Sequence, residues 1–149
     1  MVIVGFLKKK QKRSEGIGIF IEEGKIKDDT IIVEPTSGNQ GIGLALVGAV
    51  KGYKVRIIMP DSVSEERRKL IKAYGAELVL IHDDGDIGKC IAECLETAMR
   101  MQREDKRVYV PQQFENPANP MVHKHHTGLE ILEQFPDFGI EIEIEMLFK

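Results

Sequence analysis

The stretch Thr30-Ile-Ile-Val-Glu34-Pro-Thr-Ser-Gly38-Asn-Gln-Gly-Ile-Gly-Leu-Ala-Leu-Val-Gly-Ala-Val-Lys51-Gly52 decides how this chain is read. Ile31, Ile32 and Val33 form a β-branched run that suits a strand, from Thr30 to Glu34. Pro35 to Gly38 is a turn of small residues, and Asn39 to Gly52 is a helix apolar almost all round, hence buried on most sides. A helix opened in this way offers free backbone N–H groups, hydroxyls and the positive end of its dipole, which together suit a carboxylate or a phosphate. In an open α/β sheet the turn also lies at the carboxyl ends of the strands, where ligands bind. A plain N-cap by Ser37 or Asn39, with glycines for tight packing, is the competing reading.

Strand and helix patterns go on alternating downstream. Lys54 to Met59 reads as a second strand closed by Pro60. Ser62 with Glu65 has capping-box spacing, Leu70, Ile71 and Tyr74 give the following helix an apolar face, and Gly75 ends it. Glu77 to Ile81 is a third strand. Ile87, Ile91, Cys94, Leu95 and Ala98 predict a helix from Asp86 to about Gln102. Arg107 to Val110 is a fourth strand, and after the link Pro111 to Pro120 a last helix runs to about Phe135, stopped by Pro136. The pattern predicts a three-layer α/β domain with a mainly parallel four-stranded sheet. At the ends, Ile17 to Ile21 fits either a strand or a helix, and Ile140 to Met146 alternates isoleucine with glutamate as an edge strand would.

A chain of 149 residues suits one domain, here 1–149, with a core at about 22–135 and atypical segments at 1–21 and 136–149. The 42% hydrophobic and 30% charged residues are enough to build a core and argue against disorder. A net charge of -3 gives no global support for nucleic acid or an anionic membrane as partner; the basic run Lys8 to Arg13 is local. No apolar stretch approaches the ~18 residues of a membrane helix. The apolar start, Met1 to Leu7, precedes its basic residues instead of following them, so a cytoplasmic protein without a signal peptide is expected. Cys90 and Cys94, four apart on a helix, read as buried reduced thiols.

The blocks Glu34-Pro-Thr-Ser-Gly-Asn-Gln-Gly-Ile-Gly-Leu-Ala, Lys51-Gly-Tyr-Lys, Met59-Pro, Glu66-Arg-Arg-Lys-Leu, Gly75-Ala-Glu-Leu and Pro111-Gln-Gln-Phe-Glu-Asn-Pro-Ala-Asn-Pro resemble, in this order, cysteine synthase (O-acetylserine sulfhydrylase). That is a fold-type II pyridoxal-phosphate enzyme family, and the resemblance covers about residues 22–133. It implies the small, mobile domain of such an enzyme. It also implies β-replacement with pyridoxal phosphate as electron sink: a lysine removes the α-proton, acetate leaves and sulfide adds. By resemblance Thr36, Ser37, Gly38 and Gln40 hold the substrate carboxylate, Gln40 standing where threonine is common. Asn39 meets both substrate and cofactor, and Gln113 is the glutamine before phenylalanine that also meets the carboxylate.

The Ser-x-Lys-Asp-Arg block that carries the family's Schiff-base lysine does not occur here. Counting back from Glu23-Gly24-Lys25 brings Lys9 to that position without the flanking serine or aspartate, and a solvated basic run is the bland reading of Lys8 to Arg13. The family's second half, with its glycine-rich phosphate loop, is also missing. The expectations are therefore a cysteine synthase-like protein lacking the full active site or, alternatively, a non-catalytic module that binds an amino-acid or peptide carboxylate. In that family the pocket also accepts the C-terminal peptide of serine acetyltransferase. A homodimer built through the terminal segments is expected.

Other residues attract plainer readings. His123, His125 and His126 diverge on a helix and lack a completing carboxylate, so no metal site is expected. The spacing of Gly38, Gly41 and Gly43 is not that of a dinucleotide fingerprint. Asp83-Asp84-Gly85 is a polar turn, and Glu66, Arg67 and Arg68 read as a surface ion-pair set.

Overall fold

The β-branched run of the opening stretch becomes the central strand of a sheet. The computed structural model describes residues 26–117, 119, 121, 123–124 and 128–134. In chain order the elements are β1 (Ile31–Pro35), α1 (Asn39–Lys51), β2 (Lys54–Pro60), α2 (Glu65–Ala73), β3 (Glu77–Ile81), α3 (Ile87–Glu104), β4 (Val108–Tyr109) and α4 (Gly128–Gln134). The sheet order is β3-β2-β1-β4, and every pairing is parallel. A three-layer α/β domain with a four-stranded parallel sheet is what the alternating patterns predict.

Strand alternation divides the core in two. Ile32, Val55, Ile57 and Met59 meet Leu44, Ala45, Val47 and Ile71 of α1 and α2 on one face, while Val33, Ile58 and Val108 meet Cys90, Cys94 and Ala98 of α3 on the other. Gly52, in the left-handed region at φ 78, ends α1 and turns the chain into β2. The cysteines are free and buried as expected, and burial pushes the Cys94 thiol up to about 12.

Three local expectations need correction. Ser62 does not cap α2: Ser64 is the cap residue, without a side-chain bond, and the Ser62 hydroxyl donates to Asp83 Oδ2 at 2.6 Å, tying the ends of β2 and β3. On α3 the face against the sheet is Cys90, Cys94, Thr97 and Ala98, whereas Ile87, Ile91 and Leu95 stay about half exposed. Small side chains allow the helix to approach the strands, so it rotates away from its largest residues. On α2, Ile71 is buried but Leu70 is 45% exposed. The N-terminal segment, Lys9 and the Ile140 to Met146 strand lie outside the described residues.

At Gly48 α1 lies tight against the start of β2: an added Cβ would run into Val55 Cγ2 and lie 3.1 Å from the Tyr53 carbonyl. Gly48→Ala should lose about 1–3 kcal/mol by overpacking, read as a lower urea midpoint. Gly88→Ala in the first turn of α3, where the new Cβ meets only Asp86 Oδ1 at ordinary contact distance, should hold or raise the midpoint by up to about 1 kcal/mol of helix propensity.

Candidate functional site

Chain order reverses at β1. Its register pairs Pro35 with Ile58 of β2 on one side, and Ile31 and Ile32 with Val108 and Tyr109 of β4 on the other. In an open parallel sheet the crevice beyond the carboxyl ends of two such strands is the usual ligand position, because the following loops diverge there. The loop after β1, Thr36 to Gly38, with Asn39 and Gln40 at the start of α1, and the loop after β4, with Gln113, border this crevice. Residue spacing does not fix whether the fourth strand neighbours the first; the family resemblance implies it, and the β1–β4 pairing has it so.

The loop after β1 is built by its own backbone. The Thr36 N–H donates to the Ile58 carbonyl at 2.9 Å, continuing the β1–β2 pairing by one residue. The Gly38 N–H donates to the Thr36 hydroxyl at 3.3 Å, and Arg67 Nη1 of α2 donates to the Ser37 carbonyl at 3.4 Å. Arg67 is thus a brace on the loop rather than part of a surface ion-pair set; the ion pair on that helix joins Lys69 to Glu65. At Gly41 an added Cβ would lie 3.0 Å from Thr36 Cγ2 and 3.1 Å from Ile57 Cγ2, so glycine lets the helix start close against the loop and sheet.

Neither Ser37 nor Asn39 caps α1. The cap residue is Gly38, and no side chain bonds to the helix start. The Gly41 N–H donates to the Gly38 carbonyl at 3.2 Å, so the N–H groups of Asn39 and Gln40 are the ones left to an outside acceptor, with the positive end of the helix dipole behind them. Thr36, Ser37 and Gly38 are half-buried, Asn39 is exposed and Gln40 is buried. Gln40 Oε1 has no hydrogen-bond partner, an arrangement that costs about 1–3 kcal/mol unless a ligand or water supplies a donor.

The loop after β4 is held by a residue that the sequence analysis passed over. Glu34, 1% exposed, accepts from the Gln112 N–H at 3.2 Å through Oε2 and from the Gln113 N–H at 3.4 Å through Oε1. Burial pushes its carboxyl up to about 7, against the lowering effect of those two N–H groups. Gln112 has φ 54, a left-handed backbone unusual for a residue with a side chain. Asn116 Nδ2 donates to the Pro111 carbonyl at 2.9 Å and Asn119 Nδ2 to the Gln113 carbonyl at 2.8 Å. The Gln113 backbone is fixed at both its N–H and its C=O, and the group that holds its N–H, Glu34, stands two residues before Thr36. The available sequence signal was a glutamate placed among apolar strand residues.

The crevice therefore offers hydroxyls, free N–H groups and a fixed second loop, and suits a small carboxylate. Against pyridoxal phosphate, the described residues fit one side only. Asn39 and the open helix start can face such a group, but a phosphate cradle is not among them, and Lys9 lies outside them. Among the described residues no group of histidine, cysteine, aspartate or glutamate could hold a metal ion, and no helix is long and apolar enough to cross a membrane. His125 and His126 are outside the described residues.

The fold is a three-layer α/β domain of the type found in pyridoxal-phosphate enzymes, and comparison with known proteins agrees. A sequence model of the family described as pyridoxal-phosphate dependent enzyme matches residues 9–141. Cysteine synthase of Staphylococcus aureus (strain N315) is 54% identical over 113 residues, 76% of this chain and 35% of that protein. Cysteine synthase of Flavobacterium sp. is 48% identical over 115 residues, 77% of this chain and 36% of that protein. Among solved structures, a hydrogen sulfide-producing enzyme from Fusobacterium nucleatum superposes with TM-score 0.74 at 44% identity, covering 82% of this chain and 40% of that one. An O-ureido-L-serine synthase superposes with TM-score 0.68 at 39% identity, covering 80% and 36%.

The chain belongs to the fold-type II pyridoxal-phosphate-dependent enzymes of the cysteine synthase (O-acetylserine sulfhydrylase) family, matched over a partial segment. The described domain is the counterpart of their small domain, and the chain spans about a third of the length of the curated relatives it matches.

The raised Glu34 pKa makes stability depend on pH. With a folded-state value of about 7 above an ordinary 4.5, the folded protein binds this proton more tightly than the unfolded chain does. The stabilisation is complete below the unfolded value and is lost as pH rises through the folded one, by about 3 kcal/mol at most. Urea unfolding at pH 5 and pH 8 should show wild type losing more stability than Glu34→Gln over that interval; parallel losses would show that Glu34 titrates normally.

Proposed function

We propose that this chain is the substrate-carboxylate segment of a cysteine synthase-like enzyme, whose complete form converts O-acetylserine and sulfide to cysteine and acetate. The carrying observation is the uncapped start of α1 at the strand-order reversal, facing a fixed Gln113 loop. Thr36, Ser37, Gly38 and the first N–H groups of α1 bind the amino-acid carboxylate, with Gln113 closing the site from the β4 side. The buried Gln40 amide accepts a donor from the substrate or from a bound water. Asn39, exposed at the mouth, meets both substrate and cofactor. Pyridoxal phosphate, when bound, supplies the electron sink for β-replacement.

On its own the chain binds carboxylates without turnover, and this is the second reading: a module that takes an amino acid or a peptide with a free carboxyl end, such as the C-terminus of serine acetyltransferase. It is favoured by the one-sided fit of the described residues to the cofactor. A cytoplasmic homodimer is the expected state of the protein.

Purified chain given pyridoxal phosphate, O-acetylserine and sulfide should form no cysteine; turnover abolished by Lys9→Ala would establish a complete active site instead. In NMR titrations, a peptide with a free carboxyl end should shift Ser37, Asn39 and Gln113, and its amidated twin should not. Equal shifts from both peptides would reduce the loop to a helix start.

A further inference from the structure

Glu34 stands where an apolar residue would be the cheaper choice. Its strand neighbours Ile32 and Val33 are fully buried, and it is itself 1% exposed, so its carboxyl is held against a large desolvation cost. Its carboxyl oxygens accept from one place, the consecutive N–H groups of Gln112 and Gln113. The first of these residues has a left-handed backbone at φ 54, a conformation that persists when its surroundings impose it. The second is the glutamine assigned to the substrate carboxylate, and its carbonyl is already held by Asn119.

We propose that Glu34 is a positioning residue: its carboxyl clasps the Gln112 and Gln113 amides across the crevice and so holds the β4 loop in the register that presents Gln113 to the ligand. A role for this clasp in binding rests on the carboxylate site proposed for the loop. The clasp runs from the end of β1 to the loop after β4, and these are the two neighbouring strands between which chain order reverses. Three of the arginines on the surrounding elements are engaged elsewhere. Arg56 of β2 pairs with Glu77, Arg107 before β4 pairs with Asp105, and Arg67 of α2 bonds the Ser37 carbonyl. Arg68 of α2 lies in the field of Asp61 with its buried Nε unbonded, and Glu115 on the loop after β4 is exposed. Burial and the two N–H groups are what set the state of Glu34.

The test uses the full 149-residue chain, Glu34→Gln, Gln113→Ala and the double variant, with a free-carboxyl peptide as probe and backbone NMR as readout. In wild type the Gln112 and Gln113 amide resonances should titrate together, following the Glu34 carboxyl, while the Thr36 amide bonded to Ile58 does not. In Glu34→Gln that shared titration should vanish, and peptide affinity should fall roughly tenfold, as for a contact group that is present but displaced. If Glu34 acts through Gln113, adding Glu34→Gln to Gln113→Ala should cost little more, whereas additive losses overturn the proposal. Independent titration of the two amides overturns it as well, and this wild-type measurement decides the matter even if Glu34→Gln does not fold. Failure of the wild type to bind the peptide would refute the carboxylate site, while the joint titration would still report whether the clasp exists.

Discussion

The parallel pairing of β1 with a neighbour on each side is the constraint on which the rest of this domain depends. A strand bonded on both edges and covered on both faces has no solvent-facing side chain positions in its middle, which is why Ile32 and Val33 are fully buried. Parallel neighbours cannot be joined by tight turns, so each must be reached through a crossover, and α1, α2 and α3 are those crossovers. They divide between the two faces of the sheet and close the core on each. The last crossover, α3, carries the chain from β3 at one edge past β2 and β1 to β4 at the other, leaving a gap between the loops that follow β1 and β4.

That gap explains the chemistry of its rim. Loops that diverge cannot complete each other's hydrogen bonds, so polar groups there need partners from elsewhere. On the β1 side, Thr36 and Ser37 are tied through Gly38 and Arg67, and the helix start remains open. On the β4 side, Glu34 and Asn119 fix the Gln113 backbone from both ends. One rim is left able to receive an anion and the other is held still beside it, as a binding site built on rigid elements requires.

Local patterns conveyed some of this and not the remainder. Strand β3 is as its pattern predicts, and the other strands and helices α1 and α3 differ by a residue or two at their ends, because composition and period are properties of neighbours in sequence. Of the stripe Ile87, Ile91, Cys94, Leu95 and Ala98 that the helical period predicts for the inner face of α3, Cys94 and Ala98 are buried, while packing favours the smaller Cys90 and Thr97 over the three large residues. Ser62 has the spacing of a capping box but is drawn to Asp83, a partner 21 residues away that no local window contains. Arg67 had the look of a surface charge and braces the loop after β1 instead.

The sequence by itself determined the alternation of strand and helix, the small-residue turn at Thr36 to Gly38 and, through blocks shared with cysteine synthases, the membership of the family. These follow from residue type and short-range order. Only the tertiary structure decided that β4 lies against β1, that Glu34 closes on Gln112 and Gln113 some 78 and 79 residues away, and that the helix start stays uncapped. The physical reason is that a buried carboxyl and a left-handed glutamine are each unfavourable alone, and become tolerable only when the fold brings one to the other.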